Sequence, residues 1–270
     1  MKNKEQDQLA PVRGLLIDLD GTLYQGGTII AGADALIRKL RRAGIPFLFV
    51  TNNSSRTPED VAVHLREMGI EAQAEEVCTS SQAAARYISE ESPGARVAIL
   101  GEEGLRSACK EAGLEITEDE PQYVVQGIDR SFTYESLARA SRWIQAGAGF
   151  ILTNPDLMLP TDGGIMPGAG TLGAAIEAAS GVKPVVIGKP NRPLVAYAAE
   201  RLGIRPEEGV MVGDNLRTDI AAGVHAGCTS ILVLTGITNS SNLERYQEEA
   251  GVKPDYICSD LEELAVLLNL

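Results

Sequence analysis

Residues 14–22 read Gly-Leu-Leu-Ile-Asp-Leu-Asp-Gly-Thr, an apolar run ending on two carboxylates, Asp18 and Asp20, and a turn-forming Gly21. A short continuous apolar run predicts a strand buried on both faces, as in a parallel sheet. Residues two apart on a strand point the same way. Asp18 and Asp20 should therefore sit together at the carboxyl end, where open parallel sheets bind ligands. Two carboxylates crowded at such an edge repel, and each gains pKa unless a cation offsets the charge. Hard oxygen donors suit magnesium. A helix-capping turn is the plain alternative, but Leu23–Ile30 contains Gly26-Gly27 and carries no helical period.

Outward from this stretch, Pro46–Thr51 is a second apolar strand, and the helical pattern of Gly32–Ala43 lies between the two, closed by Gly44. Strand, helix and strand in that order imply parallel pairing. The theme returns late in the chain, with strands at Pro184–Ile187, Val210–Val212 and Ser230–Leu234 and helices near Arg192–Leu202 and Arg217–Ala226. The middle alternates on its own: strands at 96–100, 123–127 and 150–153, helices at 103–112, 133–146 and 170–179. Thr79–Gln82 and Gly181–Pro184 read as crossing points. The expected fold is α/β, a Rossmann-like parallel-sheet core formed by residues 1–80 and 184–270, with an α/β cap domain, 81–183, inserted.

A second carboxylate pair falls in Val212-Gly213-Asp214-Asn215-Leu216-Arg217-Thr218-Asp219. If its strand is parallel to the first, Asp214 reaches the same edge as Asp18 and Asp20, and three oxygens with waters complete an octahedral magnesium site. Asp219 and Asn215 are expected one layer out, Asp219 holding a bound water. A simple helix cap at Asp214 is the bland reading. Thr51-Asn52-Asn53-Ser54 after the second strand offers a hydroxyl, amides and backbone N–H groups to phosphate oxygens. In Gly188-Lys189-Pro190, Gly188 allows close backbone approach, Pro190 suits a first helical turn, and Lys189 becomes a fixed ammonium at the sheet edge.

These motifs, in this order, resemble the haloacid dehalogenase (HAD) superfamily, specifically its NagD-like phosphatases with a large α/β cap. Thr153-Asn154-Pro155-Asp156 and Pro167-Gly168-Ala169-Gly170 are similar to that branch as well. The resemblance implies Asp18 as nucleophile forming an aspartyl-phosphate and Asp20 as general acid and base. It implies Thr51, Asn52, Asn53 and Lys189 around the phosphoryl group, and Mg2+ on Asp18, the Asp20 carbonyl and Asp214. An acid at Asp20 argues against dehalogenation, because a halide leaves without a proton. In the cap, Asp129 with Arg130, Asn154, Asp156 and Leu159 are candidate substrate contacts, with turn chemistry as the alternative for Asp156 and Asp162. Leu159 stands where pyridoxal-phosphate phosphatases of that branch carry a His, which counts against a pyridoxal substrate. Caps of this type often mediate dimers, so a homodimer is a further expectation.

The bulk properties agree. With 24 basic and 37 acidic residues the net charge is −13, so a polyanion such as nucleic acid is not an expected partner. Cys78, Cys109, Cys228 and Cys258 are widely spaced, suggesting neither zinc nor disulfides. The polar start of the chain and the lack of a long apolar run predict a cytoplasmic protein outside membranes. His64 and His225 have no metal partner at ligand spacing and read as surface or core residues, and Trp143 reads as packing rather than stacking on a base. The expected substrate is a small phosphorylated metabolite. A phosphate-binding sensor of the same fold is the alternative, although a sensor has no use for Asp20. A phosphoprotein substrate is disfavoured, since a large cap excludes folded partners.

Overall fold

All four residues of strand Gly14–Ile17 are buried, which requires cover on both faces and neighbours on both edges. In the computed structural model, which describes residues 12–161 and 164–270, it has both. The first eleven residues and Asp162 lie outside the described residues. Gly14–Ile17 pairs in parallel with Phe47–Thr51 on one side and Gly209–Gly213 on the other. The chain runs outward from Phe47–Thr51 to Val77–Thr79, then returns to Gly209–Gly213 and runs the other way through Thr229–Val233 to Tyr256–Cys258. The result is one six-stranded parallel sheet. Its direction of winding reverses between Gly14–Ile17 and Gly209–Gly213, and a ligand crevice opens at such a switch point. Asp18 follows one of these strands and Asp214 the other.

The middle of the chain forms a second parallel sheet of five strands, ordered Val185–Val186, Gly149–Leu152, Tyr123–Gln126, Arg96–Leu100 and Glu115–Ile116. The strand expected at Pro184–Ile187 in the first sheet therefore belongs to the second. A two-residue apolar strand carries no mark of which sheet it joins. The Ser-rich stretch Thr79–Gln82 opens a helix. Thr79 accepts from the Gln82 N–H and the Gln82 side chain accepts from the Thr79 N–H, a capping box that starts helix Ser80–Glu91. Other helices match the apolar period closely, at Ala33–Ala43, Glu103–Glu111, Tyr134–Gln145, Ala169–Ser180 and Arg192–Arg201. Pro190 precedes the last of these, and Pro193 occupies its first turn. Two hairpins, Tyr24–Gln25 with Thr28–Ile29 and Met158–Thr161 with Gly164–Pro167, complete the picture around the crevice and on the cap.

The two sheets share one apolar cluster. Leu16, Leu48, Val50 and Met211 from the first pack with Val97, Val125, Ile151 and Ile187 of the second. Each such fully buried side chain contributes roughly 1.5–3 kcal/mol. Trp143 lies against the outer cluster of the second sheet with Val124 and Phe150, a packing residue as expected. The four cysteines are buried and free. No described helix is long and apolar enough to cross a membrane.

Candidate active site

Asp18 continues the central strand by one residue, its N–H donating to the Val212 carbonyl at 2.9 Å. The chain then turns away. The Leu19 carbonyl accepts from the N–H groups of Thr22, Leu23 and Tyr24, and Gly21 sits at a φ of 90°, in the left-handed region. The strand ends too early for the two-residue alternation to carry over. Asp18 is buried and Asp20 is exposed. Burial by neighbouring groups still raises the Asp20 carboxyl above its usual range, against a stabilising Gly26 N–H and the nearby His64. His64 meets the edge of the Tyr24 ring, with centroids 5.5 Å apart, beside this carboxylate.

Asp214 comes to Asp18 from the adjacent strand, and Asp219 from the wide turn that follows. Asn215 builds that turn. Its carbonyl accepts from Asp219 and from Ile220 five residues on, its side chain accepts from Arg217 N–H, and its own N–H donates to Asp219 Oδ2 at 3.1 Å. Among the described residues, Asp18, Asp214 and Asp219 are the carboxylates that converge, with ligand atoms within 4.8 Å of one another. Asp219 thus lies alongside Asp18 and Asp214. The Asp20 side chain is not in it.

Lys189 reaches the same point from the opposite direction and is 2% exposed. Its Nζ donates to Asp18 Oδ1 at 2.5 Å and to the Val50 carbonyl at 3.1 Å, and pairs with Asp219 Oδ1 at 2.7 Å. Burial alone would lower this ammonium, but Asp18 and Asp219 outweigh it and hold its pKa above the ordinary value. One ammonium does not neutralise three carboxylates. Burial first, then Asp219, push Asp18 up to about 7 in spite of Lys189. Burial, Asp219 and Asp18 push Asp214 up to about 8. Thr22, a residue of the opening motif to which the sequence reading gave no task, bridges the pair through its hydroxyl, 3.3 Å from Asp18 Oδ2 and 3.5 Å from Asp214 Oδ1.

The donor set fits a divalent cation. It is all oxygen, it carries excess negative charge, and burial together with the neighbouring carboxylates raises Asp18 and Asp214. Glycines leave room around it. A Cβ on Gly21 would lie 2.4 Å from Asp214 Oδ2, one on Gly236 2.2 Å from the same atom, and one on Gly213 2.3 Å from Asp219 Cβ. Gly236 and the Ile237 N–H, which donates to Asp214 Oδ2, are parts of the site that the sequence reading missed. A Thr-Gly pair following the apolar strand Thr229–Val233 was the available signal.

The loop Thr51-Asn52-Asn53 divides its labour. Thr51 is 8% exposed at the end of its strand, its hydroxyl accepting from the Asn53 N–H. The Asn53 side chain turns away, its Oδ1 accepting from Ser55 and Arg56 N–H groups. The Asn52 amide is engaged with the Lys189 main chain, donating to its carbonyl at 2.9 Å and accepting from its N–H at 2.8 Å. Of the cap candidates, Asn154 and Asp156 come to this loop, both hydrogen-bonded to Asn52. Asp129 closes a turn onto Ser131, Arg130 pairs with Glu102, and Leu159 lies in the hairpin opposite Met166.

Residues 15–115 match the family model described as haloacid dehalogenase-like hydrolase, and residues 186–264 match a second HAD-like hydrolase model. An acid sugar phosphatase of Staphylococcus aureus is 48% identical over 252 residues, covering 93% of this chain and 96% of its own. The chain belongs to the haloacid dehalogenase-like hydrolases. Solved structures agree. A p-nitrophenyl phosphatase from Archaeoglobus fulgidus superposes with a TM-score of 0.90 at 35% identity, covering 97% of this chain and 100% of its own. A 4-nitrophenylphosphatase from Thermotoga maritima gives 0.89 at 37% identity, covering 96% and 98%. The protein is a phosphoric monoester hydrolase of the HAD type, with the parallel-sheet core and cap of its NagD-like branch.

In this HAD hydrolase the ammonium is also structural. Lys189→Met leaves Asp18 and Asp219 buried without it, and the metal-free protein is expected to lose about 3–5 kcal/mol of stability. Denaturant unfolding with chelator present measures this, and a loss under about 0.5 kcal/mol would contradict the charge balance described above.

Proposed function

We propose that the protein hydrolyses small phosphomonoesters, sugar phosphates first among them, with Mg2+ and through an aspartyl-phosphate on Asp18. The observation that carries this reading is the buried junction of Lys189 with Asp18 and Asp219 beside Asp214, at the switch point of the core sheet. The sugar-phosphate preference is supported by the name of the S. aureus relative.

A carboxylate held between an ammonium and a hydroxyl is placed to attack phosphorus rather than to drift in solvent. Asp18 forms a P–O bond as the ester P–O bond breaks, and Asp20 gives its proton to the departing oxygen. Asp20, exposed to the crevice and raised in pKa, then takes a proton from water. That water attacks phosphorus, the bond to Asp18 breaks, and inorganic phosphate leaves. Thr51, the main chain of Asn52 and Lys189 hold the transferring group, whose charge spreads over its oxygens. Asp18, Asp214 and the Asp20 carbonyl, with Asp219 close by, would hold Mg2+, which would supply positive charge there when bound. The division into a core of 1–80 and 184–270 and a cap of 81–183 belongs to this proposal, although Val185–Val186 pairs with the second sheet. So does a cytoplasmic location.

The test is hydrolysis of p-nitrophenyl phosphate and of a panel of sugar phosphates with Mg2+, scored by kcat/KM. Absence of turnover for every ester sinks the proposal, and a clear preference for nucleotides or glycolate phosphate removes the sugar assignment. Asp20→Asn is expected to lower kcat about 10²–10⁴-fold. The loss should shrink for the p-nitrophenyl ester, whose leaving group needs the proton least. Equal losses for all esters would take the acid role from Asp20.

A further inference from the structure

We propose that Asp156, carried in from the cap, is a positioning residue for Lys189 that acts through the Asn52 side-chain amide. The inference rests on the reading above, in which Lys189 binds the transferring phosphoryl group.

Lys189 is delivered from the second sheet rather than from the first. Val185–Val186 pairs with Gly149–Leu152, and the Gly188 N–H still donates to the Thr153 carbonyl at 2.8 Å. One residue later the chain is in the core, with its ammonium on Asp18. What fixes it there is Asn52, whose amide matches both the N–H and the carbonyl of Lys189. The amide lies in space that a side chain at 188 would fill, since a Cβ on Gly188 would be 2.6 Å from Asn52 Oδ1. The same Nδ2 group donates to Asp156 Oδ2 at 3.1 Å. Turning the amide over would set its NH2 against the Lys189 N–H and its oxygen against both the Lys189 carbonyl and the Asp156 carboxylate. Asp156 therefore selects the orientation that holds Lys189.

The carboxylate is itself held. The Asp156 N–H donates to Asn154 Oδ1 at 3.2 Å, and the Asp156 carbonyl accepts from Gly170 N–H at 2.9 Å at the start of helix Ala169–Ser180. Asn154 is 5% exposed and also donates to the Asn52 carbonyl at 2.8 Å. Two cap side chains thus converge on one core residue, and that residue grips the lysine. The phosphate site is complete only with this cap segment seated, and Asp156 takes a task other than contact with the substrate's leaving group.

A double-mutant cycle tests this. Asp156→Ala is expected to lower kcat/KM about tenfold, the scale of one coupled hydrogen bond. The loss should be equal for p-nitrophenyl phosphate and a sugar phosphate, because the phosphoryl group is common to both. In an Asn52→Ala background it should vanish. Asp156→Asn, which keeps an acceptor oxygen, should restore most of the activity. A substrate-dependent loss, or one of undiminished size without the Asn52 amide, overturns the proposal. The same cycle read by calorimetric affinity for inorganic phosphate is independent of turnover. A wild type that binds phosphate but cleaves no ester would thus refute the phosphatase reading while the linkage is still decided. Should Asp156→Ala not fold, Asp156→Ser is carried through the same cycle.

Discussion

Asp18→Asn is expected to reduce p-nitrophenyl phosphate turnover by at least about 10⁴-fold, the scale of losing a nucleophile from a preformed site. The amide has nearly the shape of the carboxylate and can still accept from Lys189 and Thr22, so binding geometry is kept. What it cannot do is form and release an acyl phosphate. The chain should remain folded. The change removes a buried carboxylate whose pKa is pushed up to about 7 by its surroundings, while Lys189 keeps its pairing with Asp219. Steady-state kinetics alongside thermal unfolding separates the two effects. Residual turnover above about 1% of wild type, in a preparation free of native enzyme, would assign the nucleophile elsewhere.

Removal of divalent metal is expected to abolish turnover and to make stability fall as pH rises. The sign follows from linkage. In the unfolded chain Asp18 and Asp214 lose their protons near the ordinary value of 3.8, whereas in the metal-free fold they hold them to about 7 and about 8. Between those limits the folded state binds more protons than the unfolded state, so the slope of stability against pH is negative. His64, whose pKa is lowered by burial, works in the other direction, but it is one group against Asp18, Asp214 and the likewise raised Asp20 and Asp156. With chelator, the unfolding temperature should drop by several degrees between about pH 5.5 and about pH 8. Saturating Mg2+ should stabilise the protein, and more so at the upper end, because there it displaces fewer protons. Asp214→Asn should flatten the metal-free slope. A metal-free stability that is level or rising over this range, together with no response to Mg2+, would remove the cation from the site.

Much of this candidate site is legible in the sequence, for a local reason. Gly14–Ile17 is apolar throughout because it is central, and Asp18, Gly21 and Thr22 follow at once because the strand must end at the crevice. Periodicity, turn residues and chemical type all lie within a few residues of one another, so they leave a trace in the order of amino acids. Lys189 was legible in the same way, between a glycine and a proline near a helix start. The expectation that Asp20 would join Asp18 failed at the same scale. The strand ends before the alternation reaches Asp20, and only the Gly21 turn shows it.

The sequence alone therefore determined the parallel α/β architecture with its inserted cap, and it marked the acidic and basic candidates for the site. The tertiary structure decided which of them touch. Asp219 meets Lys189, and Asp156 meets Asn52, across distances along the chain that carry no periodic signal. Strand Val185–Val186 is too short to declare its sheet, so its neighbour is chosen by packing around Ile151 and Ile187. Local preferences are set by each residue's own backbone and near neighbours. Partners far apart in the chain are selected only when the whole core closes and leaves each buried charge one place to be satisfied.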